Sequence, residues 1–258
     1  MSESPIEDRV LVDRGEDGVA LVTLSRPAAR NAIDVEMARA LIEAMETCQD
    51  ARCIVITGAD PAFCAGLDLR DLGTDKLAEL PPFVHAVAVS EVPTIAAVNG
   101  AAVTGGFEIA LACDFIVASD RARFADTHVR VGVYPGPVLV ELPRRVGMAM
   151  AREMSMTGNF VQAETALRIG LANHVVPHDE LLTFTLALAG AIAEQDPAMI
   201  ATMRQDWNET GALPIDEAHR RHQEIADRSR FSGVGSDTLR ANMTAVVGRA
   251  HRQQLGDD

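Results

Sequence analysis

Asn99-Gly100-Ala101-Ala102-Val103-Thr104-Gly105-Gly106-Phe107-Glu108 is the stretch on which the fold and the chemistry both turn. It follows an apolar run at residues 94–98 that reads as a buried strand, turns at Asn99-Gly100, and passes through small residues into the interior of a helix at residues 108–113. Residues 114–118 return to a strand pattern. Small residues let a ligand approach the backbone closely, and the start of a helix presents N–H groups with no partner inside the helix. The stretch lacks the Gly-Lys-Ser/Thr ending of a Walker loop and does not show the full GxGxxG dinucleotide pattern.

A second stretch has the same character: Ala62-Phe63-Cys64-Ala65-Gly66-Leu67-Asp68-Leu69. It follows a buried strand at residues 53–57, ended by Gly58, and leads toward a short helix expected to start near Asp68. Taken singly, each stretch is a weak signal, since a glycine-rich strand-to-helix turn is more often plain packing or a phosphate cradle. Side by side, two such turns aim two N–H donors at one oxygen, which is the physical requirement of an oxyanion hole.

Working outward, residues 18–24 read as a strand broken by Arg26-Pro27. Residues 31–50 have helical periodicity, with Ile33, Met37, Leu41 and Met45 about four apart and Asp34 as N-cap. Residues 60–73 read as a loop opening into a short helix, and residues 77–90 as a helix. Alternating strand and helix, with strands apolar on both sides, means an α/β fold with buried strands. After about Gly132 the strands thin out, and residues 145–157, 162–169 and 179–194 are helical. Beyond Pro197 the chain is charged and helical with no convincing strand. The expected organisation is a core at residues 1–195 and a helical C-terminal region at 196–258, with no low-complexity segment and no repeat of fixed period.

The formal net charge is −14, which argues against nucleic acid as a partner, since phosphate backbones are bound by clustered Lys and Arg. A small phosphorylated ligand needs only a few local donors and stays open. Cys48, Cys53, Cys64 and Cys113 form no CxxC pair and have no His at zinc-ligand spacing, so they read as buried reduced thiols and no metal is expected. The N-terminus lacks the basic and apolar regions of a signal peptide. No run approaches the ~20 apolar residues of a membrane span. The expectation is a cytoplasmic protein without a membrane partner.

Taken together, Arg26-Pro27, Asn31-Ala32-Ile33, the runs at 63–69 and 99–108, Ala112-Cys113-Asp114 and the segment 124–136 resemble the crotonase superfamily, the enoyl-CoA hydratase/isomerase family. In order and spacing the resemblance covers roughly residues 10 to 190. It implies an α/β fold: a crotonase-type spiral of strand–strand–helix repeats with a helical C-terminal region, assembled as a homotrimer or a dimer of trimers. It implies an acyl-CoA thioester substrate, as in fatty acid metabolism, with coenzyme A arriving as part of the substrate and no separate cofactor. The oxyanion donors fall on the backbone N–H groups of Leu67 and Gly105, and the CoA contacts on Arg26, Ala65, Gly66, Asp68, Leu69 and Arg70. For the trimer, the tail offers apolar Phe231, Val234, Leu239, Met243 and Val247 for packing.

Hydratases of this family use two glutamates beside the bound enoyl group. The first matches Glu108, three residues after Gly105. Burial and neighbours tune such a carboxylate toward operating pH; the bland alternative is a Glu that only pairs within the fold. The position of the second is held by His128 in Phe124-Ala125-Asp126-Thr127-His128. An imidazole still exchanges a proton near neutrality, so three roles stay open: it replaces the carboxylate, it holds water or substrate, or it is a bystander. Asp126 is expected on the opposite side of an extended segment; Glu141 lies beyond the 134–137 turn, within swing of the site, though nothing in the spacing requires it there. In the isomerases of the family the second glutamate shuttles the proton and the first is often absent; the reverse pattern here fits a hydratase. The implied activity is therefore an enoyl-CoA hydratase. Isomerisation, thioester hydrolysis and non-catalytic acyl-CoA binding are the alternatives.

Overall fold

The computed structural model describes residues 9–71, 73–229, 231 and 243. The described part opens with β1 (Val10–Arg14), β2 (Val19–Leu24), α1 (Val35–Thr47) and β3 (Cys53–Gly58). Asp34 caps α1 as expected: its backbone is extended and its carboxylate accepts the Met37 N–H at 2.8 Å. Next come β4 (Ala62–Cys64), a 3₁₀ turn (Asp75–Glu79) and α2 (Phe83–Ala88). They are followed by β5 (Thr94–Val98), β6 (Ala101–Val103), α3 (Gly105–Ala112), β7 (Phe115–Ser119), β8 (Arg123–Ala125) and α4 (His128–Val131). Then α5 (Val138–Val146), α6 (Met148–Thr157), β9 (Val161–Gln162), α7 (Ala163–Arg168), β10 (His174–Val176) and α8 (Leu181–Ala193) complete the strand-bearing part.

Six strands form the main sheet in the order β1-β2-β3-β5-β7-β10, parallel except for the β1–β2 pair. Successive side chains of a strand point to opposite faces, and both faces here are covered. Ile54, Ile56, Ala96, Val98, Ile116 and Ala118 enter one core with Met37 and Leu41 of α1 and Ile109 of α3. Cys53, Val55, Ile95, Ala97 and Val117 enter a second core with Leu181, Ala189 and Ala193 of α8. That is why β3 and β5 read as unbroken apolar runs.

A second sheet, β4-β6-β8-β9, is built from the short strands that follow β3, β5 and β7. Its first three strands are parallel. Each unit therefore runs main-sheet strand, short strand, helix: β3-β4-α2, β5-β6-α3 and β7-β8-α4. This is the strand–strand–helix spiral.

Several elements differ from expectation. No helix starts at Asp68; its carboxylate accepts the Arg70 N–H at 3.1 Å, a local side-chain turn that competes with helix. Residues 77–90 are not one helix, because Pro81-Pro82 separates the 3₁₀ turn from α2. Gly147, at φ 77°, splits α5 from α6, so residues 145–157 hold a helix end and a new helix.

The chain divides into two compact units, Met1–Pro197 and Ala198–Asp258. The described part of the second consists of α9, which opens at the boundary (Pro197–Thr210), and α10 (Ile215–Arg228). Within it, His222 Nδ1 and Asp206 lie 2.5 Å apart, and Arg221 pairs with Glu209 and Glu224. Val234, Leu239 and Val247 of the tail lie outside the described residues. Among the described residues no helix is long and apolar enough to cross a membrane.

Candidate active site

Asn31 ties the two glycine-bearing loops to the Arg26 turn. It is fully buried, takes a positive φ of 56°, accepts the Arg26 N–H through Oδ1 (2.9 Å), and donates through Nδ2 to the carbonyls of Ala59 (2.7 Å) and Ala62 (2.6 Å). With the 59–64 segment fixed, the chain reaches Gly66 at φ +89°. A Cβ there would lie 2.0 Å from Thr104 Oγ1 and 2.8 Å from the Val103 carbonyl, so only glycine fits. Ile33 N–H donates to Gly66 O and Asp68 N–H donates to Ile33 O, both at 2.8 Å. In a parallel ladder these two bonds flank Leu67 and leave its own N–H on the opposite edge.

The second donor comes from α3. Thr104, just before the helix, is held at φ 45°, a region that β-branched residues rarely enter. Gly105 is the first helical residue, and its N–H belongs to the group that no helical carbonyl can reach. A Cβ on Gly105 would be 3.9 Å from Gly66 Cα, so the two loops touch through backbone. Leu67 and Gly105 both line one cavity of about 300 Å³.

Glu108 lines the same cavity, one turn along α3 from Gly105 and on the same face. It is buried, and Oε1 accepts the Val138 N–H at 3.2 Å. Gly136 makes room for it: a Cβ there would lie 2.8 Å from Glu108 Oε1. Burial raises the Glu108 pKa above the ordinary glutamate value, against the lowering effects of the Val138 N–H and of His128.

His128 also lines the cavity, as the first residue of α4. Its Nδ1 lies 2.6 Å from Asp126 Oδ1, and its backbone N–H donates to the same oxygen at 3.3 Å. Burial disfavours the imidazolium, but the Asp126 bond and the charges of Glu108 and Asp126 outweigh it, so the His128 pKa is raised. Asp126 is therefore not on the far side of the strand. Side chains two apart in extended chain share a face, and the turn at Thr127 (φ −98°, ψ 12°) closes the pair. Glu141 sits instead on α5, partly exposed and 3.8 Å from Arg144.

The residues expected to contact CoA separate into two sets. Asp68, buried, and Arg26, partly buried, belong to a chain of ion pairs, Arg9–Asp34 (2.6 Å), Arg26–Asp34 (3.1 Å), Arg26–Asp68 (3.1 Å) and Arg70–Asp68 (2.7 Å). Arg26 also donates to the Ala32 carbonyl. The Arg70 hydrogen bond, with help from Arg26, holds the Asp68 carboxyl well below the usual carboxylate range. Leu69 and the Arg70 side chain are exposed, just past Leu67, while Gly66 is buried and Ala65 partly so. Leu80, Phe83, Val84, His85 and Pro137 also line the cavity; the sequence placed some of them in a helix but gave no chemical reason to assign them to a site. All four cysteines are buried, reduced thiols, and burial pushes the Cys64 and Cys113 thiols up to about 12.

A groove of about 360 Å³ lies within the second unit, lined by Met203, Trp207, Ile215 and His219 among others. Its acid, Asp206, is engaged by His222. The first cavity, by contrast, brings together the Leu67 and Gly105 backbone, one buried carboxylate, Glu108, and one imidazole, His128.

The sequence profile of the family described as "Enoyl-CoA hydratase/isomerase" matches residues 14–231. The chain is 32% identical over 263 residues to "Probable enoyl-CoA hydratase 1, peroxisomal" of Arabidopsis thaliana, covering 98% of each. It is 38% identical over 226 residues to the carnitinyl-CoA dehydratase of Proteus mirabilis strain HI4320, covering 81% of this chain and 84% of the relative. A crystal structure of enoyl-CoA hydratase from Mycobacterium smegmatis superposes with a TM-score of 0.83 at 30% identity, covering 92% of this chain and 96% of that one.

Proposed function

The chain belongs to the enoyl-CoA hydratase/isomerase family, and on that premise we propose that it is an enoyl-CoA hydratase, adding water syn across the 2,3 double bond of a trans-2-enoyl-CoA. The observation that supports this reading is the presence of Glu108, His128 and the Leu67 and Gly105 backbone in one cavity.

The thioester carbonyl oxygen lies between the Leu67 and Gly105 N–H groups. These donors gain strength as negative charge builds on that oxygen, which lowers the barrier more than it tightens ground-state binding. Glu108, as carboxylate, takes a proton from water while the water oxygen bonds to C3 of the enoyl group. The electrons of the double bond move into a thioester enolate held by the two donors. His128, as imidazolium, gives its proton to C2, and the enolate collapses to the 3-hydroxyacyl-CoA. Glu108 is then protonated and His128 neutral; proton exchange with solvent restores both. Coenzyme A arrives with the substrate, contacting Ala65, Gly66, Leu69 and Arg70 and resting on the scaffold of Arg26 and Asp68. No other cofactor enters the scheme, and the site of action in this reading is the cytoplasm.

The test is depletion of the conjugated enoyl absorbance across a panel of trans-2-enoyl-CoAs of graded chain length. The expected result is loss of absorbance with at least one of them. Binding of every member without loss of absorbance would put non-catalytic acyl-CoA binding in its place.

A further inference from the structure

We infer that Asp126 is the positioning residue for His128: the aspartate holds Nδ1, so the imidazole presents Nε2 to the cavity, and the pair does together what one glutamate does in the family pattern. The inference rests on the hydratase reading for its chemistry, but its geometry stands alone.

Asp126 is fully buried at the end of the second sheet, a costly place for a carboxylate without a compensating group. Its Oδ1 takes both the His128 ring nitrogen at 2.6 Å and the His128 backbone N–H at 3.3 Å. The ring is thus fixed in orientation, and a neutral His128 keeps its proton on Nδ1, toward the carboxylate. The remaining nitrogen, Nε2, is the one left to act at the cavity. Protonated it is a donor; deprotonated it is a base. Asp126 Oδ2 is buried without a hydrogen-bond partner, with the Ser155 hydroxyl of α6 nearby.

The ionisable groups around the ring are few. From α3 comes Glu108, whose charge favours the imidazolium. From α2 comes His85, which lines the same cavity. The charged residues of α6, Arg152 and Glu153, are exposed, and Arg130 of α4 turns away to the Thr157 carbonyl and Asn159. Glu141 of α5 lies beside Arg144. Among the described residues, Asp126 is the acid bonded to the ring.

In the hydration step, the proton moves from Nε2 to C2 of the substrate, and the positive charge of the ring is lost beside Asp126. In the reverse direction Nε2 takes that proton back. Asp126 changes neither the atoms nor the electrons of the step; it sets the tautomer and the proton affinity of Nε2.

The experiment is ¹⁵N NMR of the histidines in the full-length protein, with His128 assigned among seven by the signal lost in His128→Gln. It is read beside the pH profile of kcat and KM. In the wild type, neutral His128 is expected as the Nδ1–H tautomer. Asp126→Asn is expected to shift its titration to lower pH, to move the basic limb of kcat with it, and to leave KM nearly unchanged. At pH 8 the kcat loss is expected to be about 10-fold or more. An Nε2–H tautomer in the wild type overturns the inference, and that reading does not depend on the Asp126→Asn variant. So does a kcat loss equal at every pH with the His128 titration unmoved, which is the mark of a merely structural role. If the titration shifts as expected but the wild type turns over no enoyl-CoA, the Asp126–His128 unit stands and the hydratase reading falls.

Discussion

Glu108 and His128 occupy one cavity with opposite demands. Glu108 serves as a base only when ionised, and His128 serves as an acid only when protonated. Both pKa values are raised, the first by burial and the second by Asp126 and Glu108 against burial. The rate should therefore be bell-shaped in pH. It rises as Glu108 loses its proton, at a pH above the ordinary glutamate value, and falls as His128 loses its own, above the ordinary histidine value. A kcat/KM profile that is flat across neutral and mildly alkaline pH would contradict the second assignment. Glu108→Gln keeps the shape and can still meet the Val138 N–H, but it cannot take a proton. Turnover should fall by about 10²–10⁴, with acyl-CoA affinity by calorimetry nearly unchanged. Unchanged turnover would make Glu108 structural. At this scale the sequence carried much of the account, because residue type and motif position singled out Glu108 and His128. It failed at Asp126, where a wrong periodicity put the side chain on the far face. Its partner two residues on was already in view.

Two backbone turns under constraint hold the Leu67 and Gly105 N–H groups that the proposal uses as donors. Gly66 at φ +89° packs against Thr104 at φ 45°, so the conformation of each loop is locked by the other. Gly66→Ala places a methyl against the Val103 carbonyl and Thr104 and forces an alanine into a left-handed backbone. Urea unfolding should show a loss of roughly 1–3 kcal/mol, with turnover falling as Leu67 moves. Wild-type stability and rate in this variant would show that the loop has slack and that the donor is not fixed there. The sequence showed the long elements well: β3 and β5 because both faces are buried, α1 because its apolar residues recur with helical spacing. It did not show β6, β8 and β9, two or three residues each, which are too short to carry a period. It did not show β1 either, whose side chains are largely exposed. Those short strands matter, since β6 and β8 deliver Thr104 and Asp126 to the site.

Over the whole molecule, the exposed apolar side chains of the strand-bearing unit include Val129, Val131, Tyr134, Leu139 and Val140, close together in sequence. Exposed apolar surface is where partner chains bind, and the family resemblance implies a trimer or a dimer of trimers as the assembly that would cover it. Light scattering at micromolar concentration should give three or six times the 27.6 kDa chain mass. A monomer would contradict it. The alternating α/β order, the buried strands and the helical C-terminal region were legible from pattern alone. The winding of short strands into a second sheet was reached only through the family resemblance, because it depends on contacts between segments that are distant in sequence and carry no shared local signal.

The central claim is that Glu108 directs water to C3 of an enoyl thioester. It is tested most directly by turnover in ¹⁸O-labelled water, with the product read by mass spectrometry. The account predicts a 3-hydroxyacyl-CoA carrying the label in its hydroxyl group, formed by the wild type and sharply reduced in Glu108→Gln. Label in a free carboxylate with release of CoA, a double-bond isomer without label, or unchanged enoyl-CoA would contradict it.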